Sequence, residues 1–371
     1  MKRLLFATLA AAVLAPPATA EPMFLSRQYA RCTTCHYSPA GGGLLTPYGR
    51  MLSRQELSTT GASEDGAPQD REHEFLFGLL KDGLGEEVGA GISLRPSRLR
   101  VESGPFTSTR NFVMQADVML AWRRGPWTVY GEFGRQPRGD DERWDSFEHW
   151  VQYKAEGGFG VRAGRFLPAY GVRFADHSSF NRSVLGFENH EQVYAVELSH
   201  SSDRRLFQLS VGPGFAESLL EDDGEHAFTA TGRAQFDLSP RTALVASGLY
   251  RAEADRRPRN GALGLALGFA PTPRVSLWGQ GDLRFLDGAG GQAWVFTGEA
   301  AFEVHRGVWL KALPQLRTDF GDFGGGTLRL GAGLELFPRN HVNLILNWYH
   351  DSLRGRDGSA DTLLAQLHLY L

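Results

Sequence analysis

The residues with the clearest chemistry are consecutive: Cys32-Thr33-Thr34-Cys35-His36. A Cys-x-x-Cys-His run is the attachment signature of a c-type haem. Two thiols three positions apart can reach the two vinyl groups on one edge of a porphyrin and form thioethers. His36 then stands beneath the iron as its proximal ligand. These are the two cysteines of the chain, so nothing else competes for them. Two other chemistries use the same spacing. A redox disulfide expects a βαβ setting, which the neighbouring sequence does not offer. Half a zinc site needs a second Cys/His pair at ligand spacing, and none follows. The expectation is one covalent haem c on Cys32 and Cys35, with His36 on the iron.

The opposite face of the iron has several candidates. Met51 would give His/Met ligation, which raises the reduction potential. His73 would give a bis-histidine iron. His368 falls at a position whose parity faces inward on the last strand, and a five-coordinate iron is the remaining option. Each of these residues also has a plainer role: Met51 in packing, His73 on a solvated loop, His368 as an ordinary polar wall residue.

The elements that must hold this motif begin with a leader. Lys2 and Arg3 form a basic start, Leu4 to Ala15 an apolar stretch, and Ala18-Thr19-Ala20 a cleavage site, so residues 1–20 read as a secretory signal peptide. Residues 21–85 carry the haem motif, then a run of glycines from Gly41 to Gly43 expected to form a loop packed near the haem. Residues 58–72 are polar, and Phe75 to Leu80 could form a short helix.

From residue 86 to 371 one rhythm repeats. Segments of about ten residues alternate apolar with polar, the period of a β-strand. Phe228, Ala230, Gly232, Ala234, Phe236 and Leu238 form one face, while Thr229, Thr231, Arg233, Gln235 and Asp237 form the other. Val275 to Phe285, Leu328 to Leu336, Val342 to Trp348 and Leu363 to Leu371 repeat it. Tight links at 123–126, 156–158, 201–203, 239–240, 270–273, 305–307 and 338–340 alternate with longer polar links at 136–145, 168–190, 213–225, 252–261, 286–292, 319–326 and 351–361. Short turns on one side and long loops on the other predict an all-β, transmembrane antiparallel barrel of about sixteen strands. The weakest strands contain Pro96 and Pro314. Trp122, Trp127, Trp348, Tyr349 and Tyr370 fall where an interfacial aromatic girdle belongs. A soluble β-sandwich or propeller also alternates, but polar faces repeated on every strand, with no second apolar face, favour lipid outside.

A net charge of −3 without a basic block argues against nucleic acid as a partner. The mean hydropathy of −0.29 is that of a soluble protein, and no run of 18 apolar residues follows the leader. The carboxylates Asp140, Asp141 and Glu142, and Glu221, Asp222, Asp223 and Glu225, cluster on the long-loop side. They could attract a divalent cation, although a solvated surface is the plainer reading. No Ser-His-Asp set, nucleotide motif or paired catalytic carboxylates stand out. A segment of about 65 residues with few large apolar side chains is small for a core of its own, and a barrel of this size has a wide, wet lumen. The haem segment is therefore expected to fill the lumen from the periplasmic end, with a module hanging freely on the periplasmic side as the alternative.

In layout the chain resembles the outer-membrane fusions of a monohaem cytochrome with a porin, a family associated with extracellular iron oxidation. The resemblance rests on Cys32-x-x-Cys35-His36 followed by Tyr48-Gly49-Arg50, an aromatic-Gly-Arg that family members tend to carry. The Gly41–Gly43 stretch and the terminal Leu371 depart from the family pattern. The resemblance implies electron transfer across the bacterial outer membrane through one haem, with an extracellular donor or acceptor, such as ferrous iron, and a periplasmic electron carrier as partners. It assigns no barrel residue. The alternative function is an outer-membrane diffusion porin with a haem-bearing gate or sensor.

Overall fold

In the computed structural model, residues 22–59, 87–136, 144–176, 178–187, 191–214, 228–252, 260–286 and 291–370 are described. The leader, His73, the 75–80 stretch and both acidic loop clusters lie outside them. Seventeen strand segments join in one antiparallel sheet: β1 (Val88–Ser103), β2 (Phe106–Arg124), β3 (Trp127–Arg135), β4 (Trp144–Lys154), β5 (Phe159–Phe166), β6 (Val193–Ser202), β7 (Arg205–Gly214), β8 (Phe228–Ser239), β9 (Thr242–Ala252), β10 (Asn260–Thr272), β11 (Val275–Leu286), β12 (Gln292–His305), β13 (Val308–Ala312), β14 (Gln315–Asp319), β15 (Asp322–Arg339), β16 (Val342–Arg354) and β17 (Ser359–Tyr370). Each strand pairs with its sequence neighbour, and β1 closes against β17. β13 and β14 are two halves of one span, since both pair with β12 on one side and β15 on the other. The barrel therefore has sixteen spans.

Both prolines that weakened the pattern sit at irregularities. Pro96 follows a register shift in β1, and Pro314 separates β13 from β14. Proline has no N–H to give to a ladder. At the break, Gly298 N–H still donates to Pro314 O at 2.9 Å and Leu313 N–H to Gly331 O at 2.8 Å, so the wall stays closed.

Burial is inverted relative to a soluble protein. Leu263, Leu265 and Leu267 on β10 are 60%, 57% and 52% exposed, while Gln235, Gln280 and Asp282 are fully buried. The apolar face points outward to lipid and the polar face inward to the lumen, as the alternation predicts. Two expected long links are shorter than read: β14 turns into β15 through residues 320–321, and residues 355–358 join β16 to β17. In both places the strands run on. The aromatic girdle is also corrected. Trp122, Trp127 and Trp348 are exposed on the outside, but Tyr349 is buried in the lumen with its hydroxyl on Asp176, and Tyr370 shares a 2.6 Å hydrogen bond with Ser53. Neighbouring strand residues face opposite sides, so Trp348 and Tyr349 could not both meet lipid.

Two stretches occupy the lumen. Residues 22–59 lie against the short-turn end: Arg31 donates to the Ser202 and Asp203 carbonyls, Arg241 to Ser26 O, Arg306 to Ser58 O, and Thr59 N–H to Phe337 O. Residues 167–187, between β5 and β6, fold inward from the long-loop side and meet β9, β11, β12 and β14. The apolar clusters form where these stretches touch the wall. Leu25 and Phe174 pack on Val245 and Trp278, and Met23 and Leu57 pack on Trp309 and Phe337.

Candidate functional site

Cys32–Thr34 forms one 3₁₀ turn, with Cys35 N–H and His36 N–H both donating to Cys32 O at 3.3 and 3.1 Å. Residues three apart in such a turn stack one above the other, which brings Cys32 and Cys35 to the same side. The chain then doubles back. His36 bridges Leu45, Tyr37 N–H donates to Leu44 O at 3.0 Å, and Thr46 N–H to Cys35 O at 2.8 Å.

The return is made through Gly41, Gly42 and Gly43, with φ of +82°, +74° and +61°. Three successive left-handed residues are accessible to glycine and costly for anything else. A Cβ on Gly41 would lie 3.0 Å from both Cβ and Sγ of Cys32, so the glycine loop packs directly on the thiol.

Thr46 caps the helix Pro47–Leu52 by accepting from Gly49 N–H at 3.1 Å, and Pro47 occupies its first position. The Tyr48-Gly49-Arg50 motif acquires a physical reason here. A side chain on Gly49 would collide with the Cys35 carbonyl, and Arg50 donates to Ala90 O of β1 at 2.6 Å. Glycine lets the helix touch the haem motif, and arginine ties the pair to the wall.

Both thiols, the His36 imidazole and all three glycines open onto one cavity. Cys32 is half-buried, Cys35 is buried, and neither is in a disulfide. Burial pushes the Cys32 thiol up, with Arg233 and Arg173 pulling partly back. The same burial, reinforced by the positive charge of Arg173, brings His36 down to about 4. The imidazole is therefore neutral at ordinary pH, the form that can ligate a metal. Its buried Nδ1 has no hydrogen-bond partner. Two thiols outside any disulfide on one side of a turn, a neutral imidazole, and a shared cavity together suit a thioether-linked haem. Cys32 and Cys35 would hold its edge and His36 its iron. Among the described residues no group of three or more His, Cys, Asp or Glu comes together.

The distal candidates separate. His368 lines the cavity and its Nε2 lies 3.1 Å from Ser93 Oγ. Met51 sits half-buried on the helix Pro47–Leu52 and is not part of the cavity wall. Met119 does line it, a residue the sequence reading missed. Its signal was strand parity: Gln115, Asp117, Met119 and Ala121 are the buried positions along that part of β2. Arg173 was missed too, since nothing in sequence shows that its loop turns inward.

On one wall, Leu44 N–H donates to Tyr130 Oη at 3.3 Å, and that hydroxyl donates to Glu132 Oε2 at 2.9 Å. Gln136 Nε2 donates to Asp117 Oδ2 at 2.6 Å. This polar network joins the haem loop to β2 and β3.

No protein-family model matches the chain, and no curated protein matches it. Solved structures do share its fold. OprB of Pseudomonas putida at high pH superimposes with a TM-score of 0.63 at 8% identity, covering 77% of this chain and 94% of that one. The outer membrane channel DcaP of Acinetobacter baumannii gives 0.55 at 10%, covering 76% and 97%. The anion-selective porin from Comamonas acidovorans gives 0.55 at 12%, covering 76% and 99%. At such identities the likeness is one of fold. The chain has the porin-like sixteen-strand channel fold of the bacterial outer membrane.

Proposed function

We propose that this porin-like barrel carries electrons across the bacterial outer membrane through one haem c, attached at Cys32 and Cys35 and ligated by His36. The observation that carries the reading is the convergence of two thiols outside any disulfide and a neutral imidazole on one cavity inside a barrel. A bound haem would supply one-electron chemistry there. The chain's own part is to hold the ring edge with two thiols, keep His36 neutral by burial, and surround the site with loop and wall. His368 and Met119 line the same cavity, and either would supply a sixth ligand of the type haem iron takes. The donor is an extracellular reductant such as ferrous iron, and the acceptor a periplasmic carrier reached at the short-turn end.

The second reading is a diffusion porin whose N-terminal segment gates it. The likeness to OprB and DcaP favours it. One set of measurements separates the two. Purified protein should keep its haem colour after denaturation and acid-acetone extraction, and ferrous iron should reduce that haem in a spectroelectrochemical cell. Extractable or absent haem, together with solute flux through the intact barrel, would establish the porin reading instead.

A further inference from the structure

We propose that Arg173, carried by the inward loop 167–187, is a positioning residue that pairs with a carboxylate of the bound tetrapyrrole and so holds its potential up. This rests on the haem reading. The loop enters from the long-loop side, yet Arg173 reaches the glycine run next to the haem motif. Its Nη1 donates to Gly41 O. A Cβ on Gly42 would lie 2.8 Å from Cζ, 2.8 Å from Nη1 and 2.9 Å from Nη2, so the guanidinium lies with its plane facing the glycine. Gly42 has no side chain, and that absence makes the stacking possible.

The residue also lines the cavity shared by Cys32, Cys35 and His36, and its charge is felt at both Cys32 and His36. A guanidinium has five N–H donors in a rigid fork, and only the bond to Gly41 O engages Arg173 among the described residues. No carboxylate there forms an ion pair with it.

Arg95, Arg182, Glu56, Glu132 and Glu148 are the other charged residues lining the cavity. Arg182 is committed to the Phe187 and Phe174 carbonyls, at 3.2 Å each. Glu132 is taken up by Tyr130, and Glu148 by Trp150 at 3.1 Å. Among the described residues Arg173 is thus a cation without a counter-charge, on the lining of the cavity that holds Cys32, Cys35 and His36. A porphyrin of the haem type carries two carboxylates, and a planar fork is the side chain that matches a carboxylate in two-point contact. A positive charge at that distance disfavours the oxidised, more positive iron and raises the potential.

Haem-loaded Arg173→Gln, Arg173→Lys and wild-type protein, all full length, should be titrated side by side. Arg173→Gln should shift the equilibrium about tenfold toward the oxidised form, which is ~59 mV downward for one electron. Arg173→Lys should recover most of that shift. Resonance Raman bands of the carboxylate groups should move in the Gln variant and less in the Lys variant. If Arg173 only braces the Gly41 carbonyl, the two variants will behave alike, and that result overturns the proposal, as does an unmoved potential in Arg173→Gln. Loss of haem loading in Gln but not Lys supports the pairing; equal loss in both counts against it. Wild type lacking covalent haem would end the proposed function itself, a failure visible before any variant is titrated.

Discussion

Residues 22–59 enter the lumen at the short-turn end and grip the wall with charged side chains. Residues 167–187 enter from the long-loop side, and the wall grips them by their backbone. In the first, Arg31 pairs with Asp237 at 2.6 Å, both nearly buried, and Arg27 pairs with Glu303 at 2.5 Å. In the second, Gly171 N–H donates to Ser247 Oγ at 2.8 Å, Val172 N–H to Gln280 Oε1 at 2.8 Å, Phe180 N–H to Gln315 Oε1 at 2.7 Å and Asn181 N–H to Thr297 Oγ1 at 3.0 Å. Irregular backbone at membrane depth is tolerated only where something satisfies its N–H and C=O groups. The N-terminal segment satisfies many of its own through turns and a helix cap. Its docking then relies on charge, which fixes one position. The inward loop also makes turns of its own between 172 and 187, and wall side chains, neutral and charged, complete the backbone groups that these turns leave open.

The largest effect should come from removing a filling. Deleting residues 21–85 should raise conductance in planar bilayers several-fold over full-length protein. Trimming loop 167–187 as well should raise it further, because the two stretches block from opposite ends. Equal conductance before and after the first deletion would show that the segment does not fill the lumen.

Next comes the charge docking. Arg31→Ala strands a buried carboxylate at Asp237 and should loosen the segment by about 3 kcal/mol. Protease accessibility of residues 22–59 reads this. Pairing it with Asp237→Ala in a double-mutant cycle should recover most of the loss. Strict additivity would mean that the pair does not hold the segment.

Close approach ranks third. Gly49→Ala drives a methyl into the Cys35 carbonyl and should cost about 2 kcal/mol, with reduced haem attachment measured by haem stain per chain. Tolerance with full attachment would show that the helix can move off the motif.

The smallest change tests the inward loop. Asn181→Ala removes the 2.9 Å bond from its amide to Val172 O. A loss of about 1 kcal/mol is expected, read as faster amide exchange over 170–183 with haem content unchanged. Faster exchange across residues 22–59 as well would mean that the two fillings are coupled through the Arg173–Gly41 bond and the Leu25–Phe174 contact.

Strand period and turn spacing were legible as local pattern. Period-two alternation in β8 and β11 set inside from outside, because a strand has only two faces. Pro96 and Pro314 announced irregularity for the same reason, a missing N–H. Length deceived at 319–326 and 351–361, where Gly324, Gly325 and Gly326 looked like loop but the ladder continued, since a paired neighbour can extend a strand through weak residues. The spacing of Cys32 and Cys35 was legible too, and the local turn brings the two thiols to one side.

What tertiary structure alone decided is who faces them. Nothing in the order of residues tells that Arg173, 132 positions beyond Gly41, stacks on the glycine run. Nor does it tell that Met119 and His368 share the His36 cavity while Met51 points elsewhere. The physical reason is that a closed barrel brings distant strands around one lumen, and an irregular loop's path through it depends on which wall groups complete its backbone.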